Sequence, residues 1–226
     1  MSDKYLQELK LKVRSKIDLN RLDDDGENIL HKAIKQSGKV EVIKFLVSKG
    51  ADIHATTRYG STVLHLAIQN LKKGNFPASL KLVTYLLENS VDVKFKDNAA
   101  NSALHCLIKK SININQSNLL ADYLLKAGAI INTCNKQKQT PLHIAVESGN
   151  HQLCDYLVSN GADPSCKNKK SKTPLQISVE KSNVGIVKLL IHASIQLDKD
   201  IEDEDVSLLH IAIKSTRQGN LLITHA

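Results

Sequence analysis

Hydrophobic positions along this 226-residue chain come in pairs of short stripes set apart by polar stretches. The first stripe of each pair has one recurring form: Asn28-Ile-Leu-His-Lys-Ala33, Thr62-Val-Leu-His-Leu-Ala67, Ser102-Ala-Leu-His-Cys-Leu107, Thr140-Pro-Leu-His-Ile-Ala145, Thr173-Pro-Leu-Gln-Ile-Ser178 and Ser207-Leu-Leu-His-Ile-Ala212. Each opens on Asn, Thr or Ser, whose side-chain oxygen accepts a hydrogen bond from the open N–H groups of a first helical turn, so a helix is predicted to start there. Pro141 and Pro174 follow directly, where a missing N–H costs nothing. The Leu in each copy (Leu30, Leu64, Leu104, Leu142, Leu175, Leu209) must enter a core, and Ala33, Ala67, Ala145, Ala212 or Ser178 lets a neighbouring helix come close. Leu107 is the bulky exception.

A second stripe at helical spacing follows: Val42-Ile43 with Phe45-Leu46-Val47, Leu82-Val83 with Tyr85-Leu86-Leu87, Leu119-Leu120 with Tyr123-Leu124-Leu125, Leu153-Cys154 with Tyr156-Leu157-Val158, and Ile186-Val187 with Leu189-Leu190-Ile191. Gly50, Gly128 and Gly161 are positioned to end three of these helices in a left-handed cap, and Ser90 and Ser194 stand at that place in the other two. The unit is helix, turn, helix, stop, then a polar stretch to the next cap. The fourth positions of the first stripe, His31, His65, His105, His143, Gln176 and His210, are 34, 40, 38, 33 and 34 residues apart.

This unit resembles the ankyrin repeat, with its T-P-L-H-x-A signature and 33-residue period. Thr140 to Asp163 is close to that consensus. The resemblance implies an all-α solenoid of stacked helix-turn-helix units joined by hairpin loops. It divides the chain into an N-terminal half-repeat cap (1–20), five repeats (21–54, 55–94, 95–132, 133–165, 166–199) and a truncated sixth (200–226). The last copy reaches Ala226 before a second helix is complete, so the chain is expected to be part of a longer protein or to be capped by Leu221-Leu222-Ile223. The family's glycine two residues before the helix cap is present as Gly26 and Gly60 but replaced by Ala100, Lys138, Ser171 and Asp205, so looser turns are expected there. Two inter-helix loops, around Lys73 to Pro77 and Ile112 to Gln116, are expected to be lengthened on the surface.

Composition narrows the chemistry. No apolar run approaches the roughly 18 residues of a membrane span, and the start lacks a secretory pattern, so a cytoplasmic protein is expected. The four cysteines include no C-x-x-C pair, and no Gly-rich phosphate loop, G-x-S-x-G elbow or H-E-x-x-H occurs. No cofactor, metal, small-molecule substrate or catalysis is expected. His31, His65, His105, His143 and His210 form no metal row, because equivalent residues of stacked helical units lie about 10 Å apart, too far to share one ion. The resemblance instead implies that these imidazoles bond to backbone near the adjoining turn.

What remains is surface. The family binds other proteins on a concave face of hairpins and first helices. Here the hairpins carry Asp23-Asp24-Asp25, then Arg58-Tyr59, Asp97-Asn98, Lys136-Gln137-Lys138, then Lys167, Lys169, Lys170 and Lys172, and finally an acidic run from Asp200 to Asp205. Lys109 and Lys110 face outward from a first helix. A basic middle between acidic ends calls for a partner protein with an acidic segment, and Arg58 and Tyr59 are the anchor types that interfaces favour. Nucleic acid is disfavoured despite the net charge of +8, because few of the 31 basic residues are arginine and aromatics are 4%. An alternative is the substrate-recruiting portion of a larger enzyme. The bias toward Lys, Asn and Ile, with the use of such proteins by intracellular bacteria and large viruses, implies an effector acting in host cytoplasm.

Overall fold

The computed structural model describes residues 18–71, 75–110 and 112–196, with Gln7, Leu9 and Leu11 as isolated helical positions before them. The Ser207 to Ala212 copy, His210, and the acidic run from Asp200 lie outside the described residues. The described residues form ten helices: α1 (Ile29–Gln36), α2 (Val40–Ser48), α3 (Val63–Gln69), α4 (Phe76–Glu88), α5 (Ala103–Ile108), α6 (Ile114–Lys126), α7 (Pro141–Glu147), α8 (His151–Ser159), α9 (Pro174–Glu180) and α10 (Val184–Gln196). Their only β pairing is an isolated bridge between Thr56 and Thr62.

The chain divides into two compact units, residues 1–130 and 131–226. In the first, α1, α3 and α5 pack side by side, and each lies against its own second helix, α2, α4 or α6. In the second, α7 packs on α9 and α8 on α10, with α7 against α8 and α9 against α10. The signature leucines Leu30, Leu64, Leu104, Leu142 and Leu175 are all buried. A leucine so placed contributes about 1.5–3 kcal/mol by leaving water.

On the second helices the buried stripe is narrower than the apolar pattern suggests. It comprises Val42, Ile43 and Leu46 on α2, Leu82, Val83 and Leu86 on α4, Leu120, Ala121 and Leu124 on α6, Leu153, Cys154 and Leu157 on α8, and Ile186, Val187 and Leu190 on α10. Phe45, Tyr85, Tyr156 and Leu189 are half-buried, and Tyr123 is exposed. The Lys44 ammonium lies over the Tyr85 ring. Leu107 fits because α6 carries Ala121 where α2 and α4 carry Ile43 and Val83, so the large and small residues have exchanged helices and the filled volume is kept.

Three expectations change. The insertions lengthen helices as well as loops: Phe76 and Pro77 form the first turn of α4, and Ile114 to Gln116 that of α6, giving 13 residues against 9 in α2 and α8. Pro77 tolerates a first-turn position, and the Asn113 side chain accepts from the Asn115 N–H at 2.9 Å. Ser90 does end its helix, at φ 59°, but Ser194 lies inside α10, with its hydroxyl donating to the Leu190 carbonyl. Finally, the turns without glycine are no looser. Ala100, Lys138 and Ser171 adopt φ of 59°, 53° and 56°, beside 69° and 71° at Gly26 and Gly60. The N–H at this position donates to the carbonyl three residues back at 2.8, 2.8, 2.7, 2.9 and 2.9 Å in the five hairpins.

A side-chain clamp explains that uniformity. The first hairpin residue is Asp23, Thr57, Asp97, Asn135 or Asn168, and its oxygen accepts from the N–H groups two and four residues on. Those two bonds close the turn locally and offset the cost of a left-handed side-chain-bearing residue, which is about 1–2 kcal/mol. Backbone bonds then join hairpin to hairpin. Arg58 N–H donates to Asp25 O at 2.9 Å and Asn98 N–H to Tyr59 O at 2.9 Å in the first unit; Lys169 N–H donates to Gln137 O at 2.8 Å in the second.

Candidate protein-binding surface

The first helices start at Asn28, Thr62, Ser102, Thr140 and Thr173, all in extended conformation. Each N-cap N–H donates to the side chain three residues on: to Nδ1 of His31, His65, His105 and His143, and to Oε1 of Gln176. Since Nδ1 accepts, the proton resides on Nε2, which donates across to the next repeat. His31 reaches Ala55 O at 3.1 Å, His65 reaches Asn101 O at 3.1 Å, and His143 reaches Lys172 O at 3.2 Å. Burial holds these three imidazoles below their ordinary value of 6.5, the neighbouring carbonyls opposing it. Neutral imidazoles of this kind are structural joints. Among the described residues no group of His, Cys, Asp or Glu is arranged to hold a metal ion.

The two buried cysteines, Cys106 and Cys154, are not activated nucleophiles. Burial pushes the Cys154 thiol up to about 12 and raises that of Cys106, and none of the four is in a disulfide. No described helix is long and apolar enough to cross a membrane.

Side chains project to solvent from the hairpins and from the open side of the first helices. In residues 1–130 the hairpin tips carry Asp24-Asp25, Arg58-Tyr59 and Asn98-Ala99. Arg58 is fully engaged: Nη2 lies 2.9 Å from Asp25 Oδ1 and donates to Tyr59 Oη at 2.6 Å, and the guanidinium sits 4.8 Å from the Tyr59 ring centroid. Tyr59 remains 59% exposed. Asp23 turns inward. The Lys32 ammonium at 2.8 Å, together with the N–H groups of Glu27 and Asp25, holds its carboxyl at about 2.

In residues 131–196 the tips are Lys136-Gln137-Lys138 and Lys169-Lys170, on hairpins joined by the Lys169 to Gln137 bond. All four lysines are exposed, and none of their ammonium groups has an acceptor among the described residues. Asn135 and Asn168 serve as the clamp in both hairpins, so Lys136 and Lys169 occupy the same step.

A further link runs from the last hairpin residue to the end of the helix it precedes. Glu27 pairs with Lys35, Asn101 Oδ1 accepts from Lys109 at 3.1 Å, Gln139 donates to Glu147 at 2.7 Å, and Lys172 pairs with Glu180. This eight-residue link engages two of the expected surface cations. Lys109 is exposed but tied to Asn101, and Lys172 is half-buried against Glu180, while Lys110 is half-buried. The structure thus brings Arg58 and Tyr59 together in one unit and Lys136, Lys138, Lys169 and Lys170 together in the other. The clamp residues and the hairpin-exit links were missed from sequence; recurrence of Asp, Thr or Asn five residues before each helix cap was the available signal.

Stacked helix pairs, a buried cap-bonded imidazole and hairpins that present only side chains to solvent define a repeat protein of the interaction type. The chain belongs to the ankyrin-repeat family, whose model, described as ankyrin repeats in three copies, matches residues 2–97, 75–168 and 154–224. It is 29% identical over 135 residues to human transient receptor potential cation channel subfamily A member 1, covering 59% of this chain and 11% of that protein. It is 33% identical over 88 residues to a putative ankyrin repeat protein of Rickettsia bellii, covering 38% and 26%. A putative ankyrin repeat protein of fowlpox virus is 34% identical over 125 residues, covering 54% and 33%. The chain therefore spans between 11% and 33% of the length of these relatives. Ankyrin repeats are in general non-catalytic modules that bind other proteins.

Proposed function

We propose that this chain is a non-enzymatic, cofactor-free binding module. Its principal contact is an acidic segment of a partner protein, taken by Lys136, Lys138, Lys169 and Lys170. The observation that carries this reading is the absence of counter-charges, among the described residues, on four exposed ammonium groups held on two hydrogen-bonded hairpins. Such charges are exposed and unpaired, so they raise encounter rate and select for acidic partners. Arg58 and Tyr59 form a second contact, in which Tyr59 supplies the apolar anchor and Arg58 stiffens it; Lys109 and Lys110 stand beside a helix end and contribute field.

The test is affinity capture and direct binding with the parent chain and with Lys136, Lys138, Lys169 and Lys170 all changed to Glu. Loss of the captured protein supports the reading; an identical set of captured proteins removes it. Relatives from Rickettsia bellii and fowlpox virus favour the further reading of an effector working in host cytoplasm. A reporter fusion that never reaches host cytosol would count against that.

A further inference from the structure

The hairpin register that joins Arg58 to Asp25 also reaches the chain's own acidic run. We infer that Asp203 pairs with Lys170, so that an acidic partner of the lysine hairpins binds in competition with residues 202–205. The pairing stands on the hairpin register, while its effect on binding rests on the reading that these hairpins take an acidic partner.

Three junctions between described hairpins share one connection. The residue one step after the clamp donates its N–H to the carbonyl of the residue two steps after the preceding clamp: Arg58 to Asp25 and Asn98 to Tyr59, both at 2.9 Å, and Lys169 to Gln137 at 2.8 Å. Side chains at those two positions therefore leave neighbouring points of the backbone. Of the three junctions only the first carries opposite charges there, and Arg58 Nη2 meets Asp25 Oδ1 at 2.9 Å.

The next junction follows from spacing. Asp23, Thr57, Asp97, Asn135 and Asn168 each stand eight residues before His31, His65, His105, His143 or Gln176. Eight residues before His210 stands Glu202, which puts Asp203 one step after the clamp position. These residues lie outside the described ones, but the ankyrin-repeat model matches through residue 224, so the period runs past them. Two steps after the Asn168 clamp is Lys170, exposed, with its N–H donating to Asn168 Oδ1 at 2.9 Å. Lys170 and Asp203 thus repeat the positions of Asp25 and Arg58 with the signs exchanged, again one long side chain beside one short one. Glu204 follows one position on and adds negative field without standing at the pairing step. An incoming acidic segment then gains Lys136, Lys138 and Lys169 directly, and Lys170 only by displacing Asp203.

The experiment uses the full chain and two readouts. In urea unfolding, Lys170→Glu and Asp203→Lys are each expected to lower the midpoint, and the two together to restore it. Lys170→Glu with Glu204→Lys, equal in net charge, is expected to leave it low. In fluorescence anisotropy with a hexaglutamate peptide at low salt, Asp203→Asn is expected to raise affinity about two- to fourfold, the scale of one surface ion pair. Glu204→Gln is expected to raise it less, and the gain from Asp203→Asn to shrink when Lys170→Gln is already present. Equal rescue by Asp203→Lys and Glu204→Lys, or rescue by neither, overturns the pairing whatever the peptide does. Rescue with peptide binding that Asp203→Asn leaves unchanged overturns the competition. Rescue with no peptide binding keeps the pairing and removes the acidic-partner reading, and the competition with it.

Discussion

Arg58 and Lys169 occupy the same step of their hairpins, one residue after the clamp, yet one charge is spent and the other is available. Arg58 meets Asp25 of the preceding hairpin and the hydroxyl of its own neighbour Tyr59. Lys169 meets Gln137, which offers a backbone carbonyl to the Lys169 N–H and no carboxylate to its ammonium. At this step of the hairpin, the availability of the charge is decided by the residue one step on in the preceding hairpin, about 33 positions earlier in sequence. Residues 1–130 use that neighbour to neutralise; residues 131–196 do not.

The largest effect that would test this contrast is on the backbone both hairpins share. A Cβ at Gly26 would lie 2.6 Å from the Arg58 nitrogen at φ 69°, so Gly26→Ala is expected to cost about 2–3 kcal/mol in urea unfolding through strain and collision. Lys138→Gly, at the equivalent left-handed position of the other unit, is expected to stabilise by up to about 1 kcal/mol. Equal effects of the same sign would show that the two hairpins differ in more than their tips.

Next in size is binding. Reversal of the four lysines is expected to weaken an acidic partner at least tenfold, whereas Arg58→Gln, which removes a charge already paired, is expected to change it by less than about threefold. The reverse ranking would sink the contrast.

Acid supplies a smaller test. His31, His65 and His143 have native values below 6.5, so between those values and 6.5 the unfolded chain binds more protons than the folded one. Stability is therefore whole above pH 6.5 and is lost as pH falls from there toward the native values. Gln176 already fills the histidine position in the fifth repeat, accepting from the Thr173 N–H at 3.1 Å. His143→Gln is expected to keep that cap bond while reducing the slope of unfolding midpoint against pH below 6.5. An unchanged slope would mean that His143 takes no part in it.

The smallest expected change sharpens the comparison from the other side. Asp25→Asn should release Arg58 and raise affinity for an acidic probe by about twofold, mainly in the association rate.

Much of the architecture was legible because it depends on local chemistry. The cap residues, the leucine two positions on, the helix-ending glycines and the N-terminal prolines act within one or two turns of themselves. The lengthening of α4 and α6 was not legible as helix, since Phe76-Pro77 and Ile114-Asn115-Gln116 read equally well as loop. Nor were the turns at Ala100, Lys138 and Ser171 foreseen. Side-chain identity argues against a left-handed residue there, and the compensating clamp is made by three chemically different residue types that share only an oxygen. The lysines at the surface could be named from sequence, but Arg58 and Lys172 could not be sorted from Lys136 and Lys169. Their partners, Asp25 and Glu180, become neighbours only once the chain has folded back.

The clamp has a consequence for how such a protein changes over generations. Because Asp23, Thr57, Asp97, Asn135 and Asn168 hold their turns from the first position, no particular tip side chain is needed to close them. Asp-Asp, Arg-Tyr, Asn-Ala, Lys-Gln and Lys-Lys all occupy the same two places on the same backbone. Target choice can drift by single codon changes at those places while the scaffold beneath them stays under separate selection.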